Sequence, residues 1–341
     1  MGMNANKTEI QSPRTLIEAV RFFSDLDTAH NYFAQMRWPN GAVCPHCGST
    51  QVAYMAKYRR YQCSGSHDSR QFTLKTGTVM EDSPIGLDKW AVAFWLEVNA
   101  KNSISSYEVH RALGVTQKSA WFMQQRVRLA MQSGSVAKMT GAVEADETFI
   151  GGLARNMHKH KRAQKIKGTG GSGKTAVMGL LERHSEKGKS KVRVKVIGTV
   201  QGATLKAEVR QHVEAGANLY TDAHAGYTGL AADFAHEFID HAETYVRGEV
   251  HTNGLENFWA LFKRCIKGTH VSVEPFHLFR YVDAEAFRFN NRKMNDGSRF
   301  TTLIGQIVGK RLTYKQLIGK GGFPTNLLDL DNSGASESRP N

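Results

Sequence analysis

The sequence predicts an α/β domain built on a mixed sheet, preceded by a small metal-binding module and a helical region. Three observations carry this. β-prone apolar runs at 142–149, 176–183 and 191–199 are followed by a helical run at 203–214, a strand at 217–221 and helices at 253–267 and 274–290. Cys44, Cys47, Cys63 and His67 have the spacing of a metal-binding turn and its second half. Residues 88–132 carry apolar positions at helical intervals.

Composition bounds the rest. A chain of 341 residues, 40% apolar and 22% charged, has material for one to three domains and a sizeable core. Its 45 Lys and Arg against 31 Asp and Glu leave a net charge of +14, which favours a polyanionic partner such as nucleic acid. No apolar run reaches the roughly 18 residues of a membrane span. The start, Met-Gly-Met-Asn-Ala-Asn-Lys-Thr-Glu, lacks the apolar centre of a secretion signal. Three of the four cysteines cluster and Cys265 stands alone, a usage that suits metal binding in a reducing compartment. The expected location is the cytoplasm.

Leu16, Ala19, Val20, Phe23, Leu26, Ala29 and Phe33 mark 15–37 as a packing helix. In Cys44-Pro-His-Cys47-Gly48, two thiolates can face one ion, and Gly48 tolerates the positive φ that such turns need. Cys63 and His67 complete a Cys3His set for one structural Zn2+, with His46 the alternative fourth ligand. A thioredoxin-like redox pair would need a βαβ setting that is missing here. The segment is too short to bury much core, so zinc should supply much of its folding energy.

Residues 103–121 have the form of a helix-turn-helix. Ser106 to Leu113 forms a first helix, Gly114 permits the turn, and Thr116 caps a second helix whose start carries Gln117, Lys118 and Ser119. Those polar side chains sit where such helices meet bases and phosphates, although an ordinary helical hairpin has the same pattern.

Between Glu147 and Glu182 there is no acidic residue, while Arg155, His158, Lys159, His160, Lys161, Arg162, Lys165, Lys167 and Lys174 are basic or titratable. A solvated basic loop and a phosphate-contacting one are both consistent with this. Gly168 to Thr175 matches the spelling of a nucleotide-binding P-loop. The residues before it are basic rather than a buried strand, and those after it read as a strand instead of a helix, so no nucleotide cofactor is expected.

Three carboxylates then stand out. Asp146 and Asp222 lie at or near the ends of apolar β-prone runs, and Glu256 lies on the helix 253–267. Carboxylates gathered from separate elements suit Mg2+, which prefers oxygen ligands and keeps positions for water and phosphate. Two such ions can serve phosphodiester displacement. On that helix Leu255, Phe258, Phe262 and Ile266 form an apolar face, while Glu256, Lys263 and Lys267 project elsewhere at 100° per residue. Such a face can be merely solvated, or can border metal and DNA backbone. The tail 331–341 is polar and should be disordered.

From Cys-Pro-His-Cys-Gly to about residue 295, these stretches together resemble bacterial insertion-sequence transposases of the DDE type, in the subgroup with an N-terminal zinc ribbon. The matching stretches are Thr-Gly-Thr-Val-Met-Glu-Asp-Ser (76–83), Glu-Ala-Asp-Glu-Thr-Phe-Ile-Gly-Gly (144–152), Gly-Lys-Thr-Ala-Val (173–177), Tyr-Thr-Asp-Ala-His-Ala-Gly-Tyr (220–227) and His-Thr-Asn-Gly-Leu-Glu-Asn-Phe-Trp (251–259). The resemblance implies a ribonuclease H-like catalytic domain with Asp146, Asp222 and Glu256 as ligands for two Mg2+ (or Mn2+) ions. It implies water-driven cleavage at the element ends, and then attack of the freed 3′-hydroxyl on target DNA. Where the family often has a second Cys-x2-Cys, this chain has Cys63-x3-His67.

The expected organisation is an N-terminal helix and zinc ribbon (1–85), a helix-turn-helix region (86–138), the catalytic domain (139–295) and a C-terminal extension (296–341). DNA contacts are expected from Gln117, Lys118, Ser119, Lys159, Lys161, Arg162, Lys165, Lys167, Lys263 and Lys267, with a homo-oligomer in the DNA complex. The alternative is a DNA-binding regulator of the same architecture that no longer cuts.

Overall fold

The computed structural model describes residues 12–320 apart from 133, 135–136, 153–156, 167–170, 185, 187–188 and 240–249. The expected polar tail therefore lies outside the described residues. Those described fall into two compact units, one drawn from Met1–Met131 and Met294–Thr313, the other from Gln132–Lys293 and Tyr314–Asn341.

In the first unit the apolar run 15–37 is two helices, not the single one expected: α1 (Leu16–Ser24) and α2 (Leu26–Arg37). Asp25 breaks the run because its carboxylate accepts the Thr28 amide at 2.7 Å and so caps α2 from an extended backbone. The break rotates the buried face, which consists of Ala19 and Phe23 and then Ala29, Tyr32 and Phe33; Leu16, Val20 and Leu26 are left exposed. A three-stranded antiparallel ribbon comes next, with β1 (Val52–Met55), β2 (Arg60–Cys63) and β3 (Gln71–Phe72) in that order. Val52 pairs with Cys63, and Tyr61 with Phe72.

The helical region contains α3 (Leu87–Asn99), α4 (Ser106–Leu113) and α5 (Gln117–Met131). Ser105 and Glu108 close a reciprocal cap on α4, Gly114 turns at φ +59°, and Thr116 Oγ1 accepts the Ser119 amide at the start of α5. Two polar bonds seat α5 on α3. Arg128 Nε meets Glu97 Oε1 at 2.9 Å with both side chains 1% exposed, and Gln124 donates to the other Glu97 oxygen at 3.0 Å. The helix Asp296–Ile304 adds Phe300, whose ring packs on Phe23 and Trp95.

The second unit is a five-stranded mixed sheet. Its strands are β4 (Ala142–Ile150), β5 (Thr175–Glu182), β6 (Lys191–Ile197), β7 (Asn218–Asp222) and β8 (Ala235–Ile239), in the spatial order β6-β5-β4-β7-β8. β4–β5 and β5–β6 are antiparallel, whereas β4–β7 and β7–β8 are parallel. The sheet has helices against both faces. Val143, Ala145 and Leu180 pack with Leu205 and Val209 of α7 (Gly202–His212). Val177, Leu181 and Val192 pack with Leu255, Phe258 and Phe262 of α8 (Asn253–Arg264) and with Tyr281 and Val282 of α9 (Leu278–Asn290). This is the ribonuclease H-like arrangement the resemblance implied.

Three local expectations need correction. β8 falls in a stretch for which the sequence predicts no element, because an edge strand with one buried residue carries no two-sided apolar pattern. The α-helix expected to run to 267 ends at Arg264 and continues as a π turn, Cys265–His270. The 100° spacing therefore reaches Lys263 but not Lys267. Residues Lys159–Lys165 of the expected basic loop form a short helix, α6, in keeping with the helix-forming Lys, Arg, Ala and Gln they contain. Among the described residues no helix is long and apolar enough to cross a membrane.

Candidate metal centres and nucleic-acid contacts

The ribbon brings its four predicted ligands together. The Sγ atoms of Cys44, Cys47 and Cys63 and a ring nitrogen of His67 all lie within 4.8 Å of one another. Gly48, at φ +74°, donates its amide to the Cys44 carbonyl and closes the first turn. In the second half Gly65 donates to Cys63 Sγ at 3.2 Å, and an added Cβ there would come within 3.4 Å of both Cys63 and Cys47 sulfurs. The missing side chain lets the chain turn close to the thiols and deliver His67 one residue later than a Cys-x2-Cys would. A tetrahedral zinc with Zn–S of about 2.3 Å has ligand edges of roughly 3.8 Å. Cys47 and Cys63 sulfurs are 3.6 Å apart, and Cys44 Sγ is 3.5 Å from His67 Nε2. The donor set and its spacing support a zinc ion. His46, the alternative ligand, is outside the cluster.

The carboxylates are positioned by the sheet. β4 and β7 pair in parallel up to Glu144 opposite Tyr220. Two residues further along each strand come Asp146 and Asp222, so the register sets both carboxylates at one level on neighbouring strands. Glu256 stands in the first turn of α8, the helix packed on β4 and β5.

Asp146 is half-buried, with its Oδ1 accepting the Glu147 amide at 2.8 Å and its Oδ2 accepting Trp259 Nε1–H at 2.9 Å. Burial, and then the charge of Asp222, push its carboxyl up to about 6; the charge of Glu256 adds to the rise, and the two hydrogen bonds oppose it. The oxygens of Asp146, Asp222 and Glu256 are not all within 4.8 Å of each other; among the described residues the zinc set alone is that tight. Three mutually repelling carboxylates are nonetheless a hard oxygen donor set that fits Mg2+ or Mn2+.

Several residues here carry no role in the sequence alone. Glu144, 1% exposed, accepts the Leu255 amide at the start of α8 at 2.8 Å and Arg183 Nε at 2.7 Å. Arg183 also donates to the His251 carbonyl and lies over the Tyr220 ring. Glu147 is bonded by the Tyr227 hydroxyl, and burial above all pushes its carboxyl up to about 7. The available signal was the alternation Glu144-Ala-Asp146, which puts two acids on one face of a buried strand.

The expected DNA contacts are spread over both units. Lys118 is exposed, but Gln117 donates to Ser106 Oγ at 2.8 Å and Ser119 takes part in the cap of α5, so both have tasks inside the helix-turn-helix. Lys159 and Arg162 are exposed on the short helix they share with Lys161 and Lys165. Lys263 is half-buried on α8 and Lys267 is exposed on the π turn. Lys167, Arg155 and the first glycines of the P-loop-like stretch lie outside the described residues. Thr175, its last residue, opens strand β5 rather than a helix.

Comparison with known proteins agrees with this architecture. Residues 138–290 match the ISXO2-like transposase domain, and residues 25–67 match the transposase zinc-ribbon domain. The chain is 29% identical over 281 residues to an uncharacterized protein in transposable element ISH50 of Halobacterium salinarum, covering 79% of this chain and 92% of that protein. It is 33% identical over 108 residues to an uncharacterized transposase-like protein of Haemophilus influenzae, covering 31% of this chain and 86% of that one. The sheet and the ribbon are thus those of a transposase. More narrowly, the chain belongs to the insertion-sequence transposase family that joins an ISXO2-like domain to a zinc ribbon.

Proposed function

We propose that this protein cuts DNA strands at the ends of its insertion sequence and joins them to target DNA, using Asp146, Asp222 and Glu256 to hold two Mg2+ or Mn2+ ions. The supporting observation is the convergence of three carboxylates from β4, β7 and α8, close enough that the charges of Asp222 and Glu256 raise Asp146. Bound there, divalent ions activate the attacking oxygen and stabilise the leaving one. Asp146 and Asp222 hold the ions from the sheet, and Glu256 completes the set from the helix. The 3′-hydroxyl freed by hydrolysis then attacks a phosphodiester of the target. The new P–O bond forms as the target's own P–O3′ bond breaks and its 3′-oxygen leaves as a hydroxyl, so no covalent protein–DNA bond forms.

Residues 86–138 bind the element ends through the helix-turn-helix, with Lys118 on phosphate, and a homo-oligomer pairs the two ends. Lys159, Arg162, Lys263 and Lys267 add phosphate contacts beside the carboxylate-bearing unit's own helices. Affinity then falls steeply with salt as counterions are released.

The test is a Mg2+-dependent reaction of the purified protein with labelled DNA bearing the ends that flank its own gene. Specific 3′-end cleavage and joining, lost in Asp222→Asn and Glu256→Gln with end binding retained, is the expected result. Cleavage that survives either substitution removes that residue from the site. Binding without cutting by the unmodified protein would favour a regulator of the same architecture.

A further inference from the structure

The contact between β4 and α8 has two polar bonds in addition to its apolar packing, and they run in opposite directions. Glu144 of the strand accepts the Leu255 amide of the helix, and Trp259 of the helix donates to Asp146 of the strand. Glu144 and Asp146 are two apart on β4 and share a face; Leu255 and Trp259 are four apart on α8 and share a face. The result is a two-point clamp that sets the helix on the strand in one register.

Glycines make room for both points. A Cβ on Gly254 would sit 2.8 Å from a Glu144 oxygen, and one on Gly179 would sit 2.7 Å from the Trp259 ring. Gly179 is the residue paired with Asp146 across β4–β5. The indole therefore lies over the bare backbone beside Asp146, with its N–H turned to the carboxylate.

We infer that Trp259 is a positioning residue for the Asp146 carboxylate, and that Glu144 holds the helix that delivers it. The inference rests on the reading of Asp146 as a metal ligand. A carboxylate on a half-buried strand can rotate about its last bond. With Oδ1 on the Glu147 amide and Oδ2 on the indole N–H, its plane is set, and each oxygen keeps a lone pair for a cation. Hydrogen bonds to a metal ligand commonly matter about 10–100-fold in affinity or activity. Glu256, three residues before Trp259 on α8, is placed by the same register.

Trp259→Phe keeps a ring in the pocket and removes the donor. The experiment is calorimetric titration of Mn2+ into the full-length protein, beside strand cleavage at varied Mn2+ and the melting of metal-free protein. The expected result is Mn2+ affinity weakened about 10–100-fold, with a cooperative melt shifted to lower temperature by the lost bond, the KM for DNA close to wild type, and cleavage recovering as Mn2+ is raised. Wild-type Mn2+ affinity in a folded Trp259→Phe protein overturns the inference. If the Phe variant does not fold, Trp259→Met is titrated in its place and read in the same way. Asp146→Asn is measured in parallel. If that variant still binds Mn2+ and cleaves, the metal-ligand reading fails; if it does neither while Trp259→Phe is normal, the positioning role alone fails.

Discussion

Gly179→Ala tests how closely α8 is seated on the sheet. The added methyl would lie 2.7 Å from Trp259 Cζ2 and 2.9 Å from Leu255 Cδ2. Neither neighbour can yield easily, since both are buried in the cluster that includes Phe258 and Phe262. Overpacking of this kind costs about 1–3 kcal/mol. Shifting the indole also weakens a hydrogen bond to a carboxylate, a class of bond worth about 1.5–3 kcal/mol. Against this, alanine restricts the unfolded chain and returns about 0.5–1 kcal/mol in an element interior. The net expectation is a loss of about 2–4 kcal/mol. Hydrogen exchange of peptides from β4 and β5, measured without metal, reads this unit by itself. The double variant Gly179→Ala, Trp259→Phe should lose less than the sum of its parts, because the methyl then meets a smaller ring. Exchange in Gly179→Ala as slow as in wild type would refute the seating described here.

Three further outcomes are expected. Asp146 binds its proton more tightly folded than unfolded, with the carboxyl moved from 3.8 to about 6, so metal-free protein should lose stability as pH rises through that interval and stay lower above it. Glu147, moved from 4.5 to about 7, extends the window upward with the same sign. Asp146→Asn should flatten the first part of the profile. At pH 8 it relieves about 3 kcal/mol of unfavourable charge and gives up about 1 kcal/mol for one lost acceptor; identical melting profiles for the two proteins would count against the assigned shift. Stripping zinc with a chelator should abolish the order of the ribbon, and competition with a chromophoric chelator should show weakened zinc binding in His67→Ala but not in His46→Ala. Glu97→Ala should destabilise the first unit by about 3–5 kcal/mol by leaving Arg128 buried without its carboxylate. Replacing Glu97 and Arg128 together with apolar residues should restore most of that in a denaturant melt.

Much of this protein was legible from local pattern. β-prone apolar runs marked β4, β5 and β6; Gly114 and Thr116 marked the turn and cap of the helix-turn-helix; the Cys-Pro-His-Cys-Gly turn marked the ribbon. These features depend on neighbours within a few residues, so composition and spacing report them directly. Local pattern gave less where local forces compete, as at Asp25, where a side-chain cap prevails over an unbroken apolar run. It gave little for β8, an edge strand with a single buried side chain, and did not foresee the π turn that ends α8. The surroundings of the carboxylates came from tertiary structure alone. Glu144 finds Arg183 at a separation of 39 positions and the Leu255 amide at 111, and Asp146 finds Trp259 at 113. The sequence named Asp146, Asp222 and Glu256 by their settings. Strand pairing decided that two of them share a level, and a glycine opposite Asp146 decided that a tryptophan could reach it, because register and close packing exist only once distant segments meet.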